Sequence, residues 1–158
     1  MHIEETWSTA GGIPVTKQQL IHELTTHIES GGKLFVGSDS KIYYDICTYA
    51  NVICMYNEDR HAGGRYFVKT QTTPMKLSKY PHARLMKEAQ FAVEIALELS
   101  AVFPSENIEI HLDVNSKKGN VSHSLADQLS GYAKSAGFEC KVKPDSWAAS
   151  GVADCHTR

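Results

Sequence analysis

The sequence contains no apolar run near the roughly 20 residues that a membrane-spanning helix requires, so no membrane partner is expected. It also lacks a Cys-x-x-Cys pair, because Cys47, Cys54, Cys140 and Cys155 stand apart. Structural zinc draws on closely spaced ligands, so buried, reduced thiols are the expectation. Cys47 and Cys54, seven apart on one predicted strand, should face opposite sides of a sheet. Basic residues are not in excess: the net charge is −2 and the pI about 6.4. That excludes a histone-like, purely electrostatic nucleic-acid binder, but not a nuclease, because bound metal adds positive charge that the sequence does not count. Repeats, low-complexity tracts and linkers are missing. The start, Met1-His2-Ile3-Glu4-Glu5-Thr6, carries acid where a secretory signal carries base, so a cytoplasmic location is expected.

What remains is the composition of a soluble globular chain of 158 residues, 42% hydrophobic and 22% charged. The length suits one domain with its own core. Residues 1–15 read as an N-terminal extension and residues 16–158 as a single domain. A first helix begins at Thr16, whose side chain with Gln19 forms a capping-box pattern. Leu20, Ile21, Leu24 and Ile28 give it an apolar stripe, and Gly31-Gly32 stops it. Leu34 to Asp39 is a short, near-continuous apolar strand. Ile46 to Tyr56 and Arg65 to Thr73 are rich in β-branched and aromatic residues and pair as a hairpin. A long helix runs from about Pro81 to Ala101, followed by a strand over Ile108 to Val114. A helix over Ser122 to Ala136 and a strand over Phe138 to Val142 come next. Asp145 is the expected N-cap of a last helix. The order α-β-β-β-α-β-α-β-α implies an α/β fold with a mixed five-stranded sheet flanked by helices.

Two aspartates fall at the downstream ends of predicted strands, in Gly37-Ser38-Asp39-Ser40-Lys41 and His111-Leu112-Asp113-Val114-Asn115. Ligands in open α/β sheets gather at the carboxyl ends of parallel strands. Taken singly, either aspartate is better read as a turn cap. On the long helix, at about 100° per residue, Leu85, Ala89, Ala92 and Ala96 centre the apolar face. Glu94 and Glu98 should project to the solvated side, whereas Glu88 falls inside the apolar arc. A glutamate there needs a partner, either a basic residue at the edge of the core or a metal ion. Asp154, in Gly151-Val152-Ala153-Asp154-Cys155-His156, stacks over Ser150 and Gly151 if the segment is helical. Alone it also reads as a surface acid near the chain end.

Four such acids in one pocket would repel: two carboxylates about 4 Å apart oppose each other by roughly 4 kcal/mol at an effective dielectric near 20. A pair of divalent cations removes that penalty, and oxygen donors suit Mg²⁺ or Mn²⁺. Two ions about 3.5–4 Å apart activate water and stabilise the leaving oxygen of a phosphodiester.

An Asp on the first strand, a Glu in a helix after a three-strand meander, an Asp ending the fourth strand and an acid in the last helix resemble the ribonuclease H-like superfamily. The run from Glu88 to Leu99 looks like its first core helix. More closely, Val36-Gly37-Ser38-Asp39-Ser40, the run Glu109 to Asn115 and the run Val142 to Asp154 are similar to the bacterial YkuK-like proteins. The resemblance covers nearly the whole chain from about Thr16. It implies a ribonuclease H-like mixed sheet with an extra N-terminal helix, and Asp39, Glu88, Asp113 and Asp154 as metal ligands for Mg²⁺ or Mn²⁺. It also implies RNA, DNA or a hybrid as the partner. The basic hybrid-binding protrusion that some ribonucleases H carry is not evident.

His156, two residues after Asp154, is a further catalytic candidate, for proton transfer; His111 is a weaker one. Lys117-Lys118 is a candidate substrate-binding pair, and Lys76, Lys79, Arg84 and Lys87 offer further phosphate contacts. Tyr43, Tyr44 and Trp147 carry rings suited to stacking on bases, although Trp147 is expected to dock its own helix. The sequence therefore points to a metal-dependent nuclease. The alternative is a catalytically silent ribonuclease H-like module that binds nucleic acid or a protein partner.

Overall fold

The computed structural model describes residues 2–57, 64–74, 80–115 and 123–157. The predicted meander forms as β3 (Lys33–Tyr43), β4 (Ile46–Tyr56) and β5 (Arg65–Pro74), each antiparallel to the next. Two parallel additions follow on the other side, β6 (Ile108–Asn115) against β3 and β7 (Glu139–Lys143) against β6. This five-stranded mixed sheet is lengthened at its β5 edge by two short strands from the N-terminal extension, β1 (Trp7–Thr9) and β2 (Pro14–Val15). The full order is β2-β1-β5-β4-β3-β6-β7.

Among the described residues, three α-helices accompany the sheet. Helix α1 (Lys17–Glu29) starts at Thr16, and both halves of the capping box form: Gln19 N–H to Thr16 Oγ1 at 3.0 Å and Thr16 N–H to Gln19 Oε1 at 2.8 Å. Helix α2 (Pro81–Val102) opens with proline in its first turn, and α3 (His123–Ser135) precedes β7. The main core joins Leu34 and Val36 of β3, Ile108, Ile110, Leu112 and Val114 of β6, and the apolar face of α2 from Ala89 to Leu99. None of the helices among the described residues is long and apolar enough to cross a membrane.

Strand alternation assigns the opposite face to the C-terminal segment. Phe35, Ala50, Val52 and Cys54 pack there against Ala148 and Ala153. Cys47 belongs instead to a cluster with Tyr49 and Phe91, so the two strand cysteines do face opposite ways. Cys155, expected to be buried, is exposed.

The last helix departs from expectation. It begins two residues later than Asp145 predicts and runs as a π segment, Ala148–Val152, followed by a 3₁₀ turn, Ala153–His156. Asp145 instead donates its backbone N–H to Val142 O in a turn. The Ala148 N–H, which a capping side chain would otherwise serve, donates to His111 Nδ1 at 3.0 Å. A second correction concerns Glu98, which is buried rather than solvated. The N-terminal extension lies over it, and its carboxylate accepts from the backbone N–H groups of His2 and Ile3.

Candidate active site

The register of β3 and β6 positions the first two acids. Pairing runs from Leu34↔Ile108 to Ser38↔Leu112. One step further in the same register sets Asp39 beside Asp113, on parallel strands roughly 4.8 Å apart. Both share the sheet face of Phe35 and His111, whose rings lie 5.4 Å apart. On its other side Asp39 pairs with Ala50, a small neighbour that leaves space above the sheet.

The C-terminal segment lies on that face because Gly37 lets it. A Cβ at Gly37 would stand 2.5 Å from the carbonyl carbon of Ala148, so only a hydrogen atom fits between β3 and the π segment. His111 fastens the contact. A backbone N–H can only donate, so Nδ1 accepts from Ala148 and the ring proton sits on Nε2, facing Glu109 Oε2 at 2.6 Å. Trp147 closes the patch with its ring over Phe35 at 4.7 Å and edge-on to His111 at 5.0 Å. The docked segment delivers Asp154 and Thr157 to the acidic end of the sheet. Thr157 donates its hydroxyl to Asp39 Oδ2 at 3.2 Å.

Glu88 arrives from the opposite face on α2. It is buried, and Ser40 donates its hydroxyl to Oε2 at 2.7 Å. Its other oxygen, Oε1, is buried without a hydrogen-bond partner among the described residues. Arg84, one turn earlier, exerts a favourable field on Glu88, yet the two form no ion pair. Among the described residues, the basic partner that the apolar position of Glu88 demands is therefore not supplied by an arginine.

The electrostatics place the acids within reach of one another. Burial, followed by the charges of Asp113 and Asp154, lifts the Asp39 carboxyl to about 7. Burial and then the Asp39 charge push Glu88 well above the ordinary carboxylate range, and Asp113 adds to the push. Each acid is nevertheless tethered to a different donor. Thr157 holds Asp39, Ser40 holds Glu88, and Lys143 Nζ approaches Asp113 Oδ1 at 2.9 Å as an ion pair outside hydrogen-bond alignment. Among the described residues, no three His, Cys, Asp or Glu side chains stand close enough to clasp one ion as they are oriented. The carboxylates share a region without meeting at a point.

The donor set nonetheless fits a hard divalent cation. It is all carboxylate oxygen, it includes a buried orphan oxygen on Glu88, and its charges are mutually unfavourable. His156 is turned elsewhere: its Nε2 meets the Tyr66 hydroxyl at 2.7 Å, with the rings 5.4 Å apart. In a 3₁₀ turn, residues two apart point about 120° away from each other, so His156 and Asp154 diverge. Lys117, Lys118, Lys76 and Lys79 lie outside the described residues.

Sequence reasoning missed Ser40, Thr157 and Lys143. Ser40 carries a usable signal, since the residue after Asp39 must face the helix side of β3 and so meet Glu88. Lys143 carries none, because its approach to Asp113 depends on how β7 pairs beyond an irregularity between His111 and Asn115.

Residues 16–158 match the family model described as ribonuclease H-like. The chain is also similar to the "Uncharacterized protein YkuK" of Bacillus subtilis (strain 168), at 24% identity over 163 residues, covering 91% of this chain and 92% of that protein. No solved structure matches it. Strand order, the side-by-side aspartates and the family match agree, and the chain belongs to the ribonuclease H-like family.

Proposed function

We propose that the protein is a metal-dependent nuclease that hydrolyses phosphodiester bonds of RNA or DNA through a two-metal mechanism. The observation that carries this reading is the parallel register of β3 and β6, which runs to Ser38↔Leu112 immediately before Asp39 and Asp113, with the charges of Asp113 and Asp154 reaching Asp39 and those of Asp39 and Asp113 reaching Glu88. Asp39, Glu88, Asp113 and Asp154 would hold Mg²⁺ or Mn²⁺. A pair of such ions supplies an activated water and neutralises the leaving oxygen. Asp39 and Asp113, from neighbouring strands, would supply ligands from the sheet. Glu88, from the helix side, and Asp154, from the docked segment, would complete the ligand set. Ser40 and Thr157 hold two of the carboxylates in orientation. His156 supports the 3₁₀ turn carrying Asp154 through its bond to Tyr66.

A second reading draws on Lys143. An ammonium on Asp113 is the kind of internal counter-ion that a catalytically silent module would keep to bind nucleic acid or a protein partner. The two readings separate on a panel of labelled single strands, duplexes, hybrids and junctions incubated in Mg²⁺ and Mn²⁺. The nuclease reading expects a preferred substrate whose cleavage falls at least about a hundredfold in Asp39→Asn, within the range that loss of electrostatic stabilisation costs. Tight binding with no product after long incubation in Mn²⁺ would favour the silent module.

A further inference from the structure

The β3–β4 hairpin runs past the acidic site and ends in two exposed rings. Tyr43 is 74% and Tyr44 81% exposed, and their rings meet edge to face with centroids 4.5 Å apart. Strand alternation sets Tyr43 and Lys41 on the face of Asp39. Four residues of strand at about 3.3 Å each place Tyr43 about 13 Å beyond the carboxylates. Lys41 is exposed on the path between them.

The backbone at this tip is costly to maintain. Tyr43 pairs with Ile46, leaving a two-residue loop of Tyr44 and Asp45. Tyr44 has φ of 55°, and Asp45 is not among the positive-φ residues. The first loop position of such a hairpin is glycine's by preference, and a bulky side chain there is a conformational outlier. Folding stability does not account for a tyrosine at this point. Strained backbone of this kind concentrates at ligand-contacting sites.

We propose that Tyr43 and Tyr44 form a stacking platform for unpaired bases, so that the substrate is single-stranded near the bond to be cut. The inference rests on the nuclease reading of the acidic site. A ring face can receive a base only if that base has left its own stack, and inside a duplex both faces are covered. Lys41 supplies the cation for the intervening phosphates, and a chain of net charge −2 depends on such local contacts. A protein partner would be served equally well by the rings, but would not use their alignment with Asp39.

The test is fluorescence anisotropy with a labelled single strand and the corresponding blunt duplex, in Ca²⁺, which takes the same oxygen donors. Tyr43→Ala/Tyr44→Gly should lose at least about tenfold in single-strand affinity, with duplex affinity changed by less than about twofold. Tyr43→Phe/Tyr44→Phe, which keeps both rings, should bind as the wild type does. Tyr44→Gly alone should melt about 2–4 °C higher, showing that any lost affinity is not lost folding. Unchanged single-strand affinity in the Ala/Gly protein, an equal loss on duplex, or a wild-type protein that binds no strand would each overturn the platform. A wild-type protein that binds single strands through the tyrosines and never cuts them leaves the platform standing and removes the nuclease.

Discussion

Asp39 is a carboxyl that its surroundings prefer protonated. Burial raises it, the charges of Asp113 and Asp154 raise it further, and the Ser40 N–H and Thr157 hydroxyl only partly offset them. The folded value near 7 lies above the ordinary 3.8, so between these limits the native state binds more protons than the unfolded chain. Stability contributed by this group is complete below the lower limit and is lost as pH rises through the upper one. Glu88 acts in the same sense. His111, pushed below its usual range chiefly by burial, acts in the opposite sense. The clean measurement is therefore the difference between wild type and Asp39→Asn in metal-chelated urea unfolding from pH 5 to 8. The wild type should lose ground to the variant as pH rises, by on the order of a few kcal/mol. A difference that stays constant over that range would show that Asp39 feels neither burial nor its neighbours.

At the scale of elements, the site depends on the fit of one irregular segment to one strand. The Ala148–Val152 π segment touches β3 at Gly37 and is pinned by the His111–Ala148 bond. Gly37→Ala should cost about 1–3 kcal/mol by overpacking, because the obstruction is backbone that cannot rotate away. It should also displace Asp154 from the carboxylate group and weaken divalent binding. Unchanged urea unfolding in Gly37→Ala would show that the segment docks loosely. The regular elements were legible in the sequence. Thr16 with Gln19 announced α1, Pro81 announced α2, and the apolar runs from Leu34, Ile46 and Ile108 announced the central strands. The π segment was not, since Asp145 offers a valid cap and the competing donor–acceptor pair involves His111, 37 residues upstream of Ala148. Solvation of Glu98 was misread for a similar reason. Helix periodicity identifies a polar face but not the distant segment, here His2 and Ile3, that covers it.

For the whole molecule, the candidate site is a product of topology. Asp39 and Asp113 are 74 residues apart in sequence and become neighbours only because β6 returns parallel to β3 after the α2 crossover. That crossover brings Glu88, and the docked chain end brings Asp154 on the opposite face. Position alone marked the four acids as candidates, two at strand ends, one inside an apolar arc and one near small residues, and the family resemblance grouped them as a ligand set. Their tethers to Thr157, Ser40 and Lys143 were not legible, because these arise from packing between elements that no local pattern encodes. The central claim is that these charges form one cation pocket, and calorimetric titration of the intact protein with Mn²⁺ tests it most directly. The wild type should bind at least one ion and gain melting temperature in proportion, with both effects abolished in Asp39→Asn. Absence of binding at millimolar Mn²⁺, or identical binding by the Asp39→Asn protein, would contradict it.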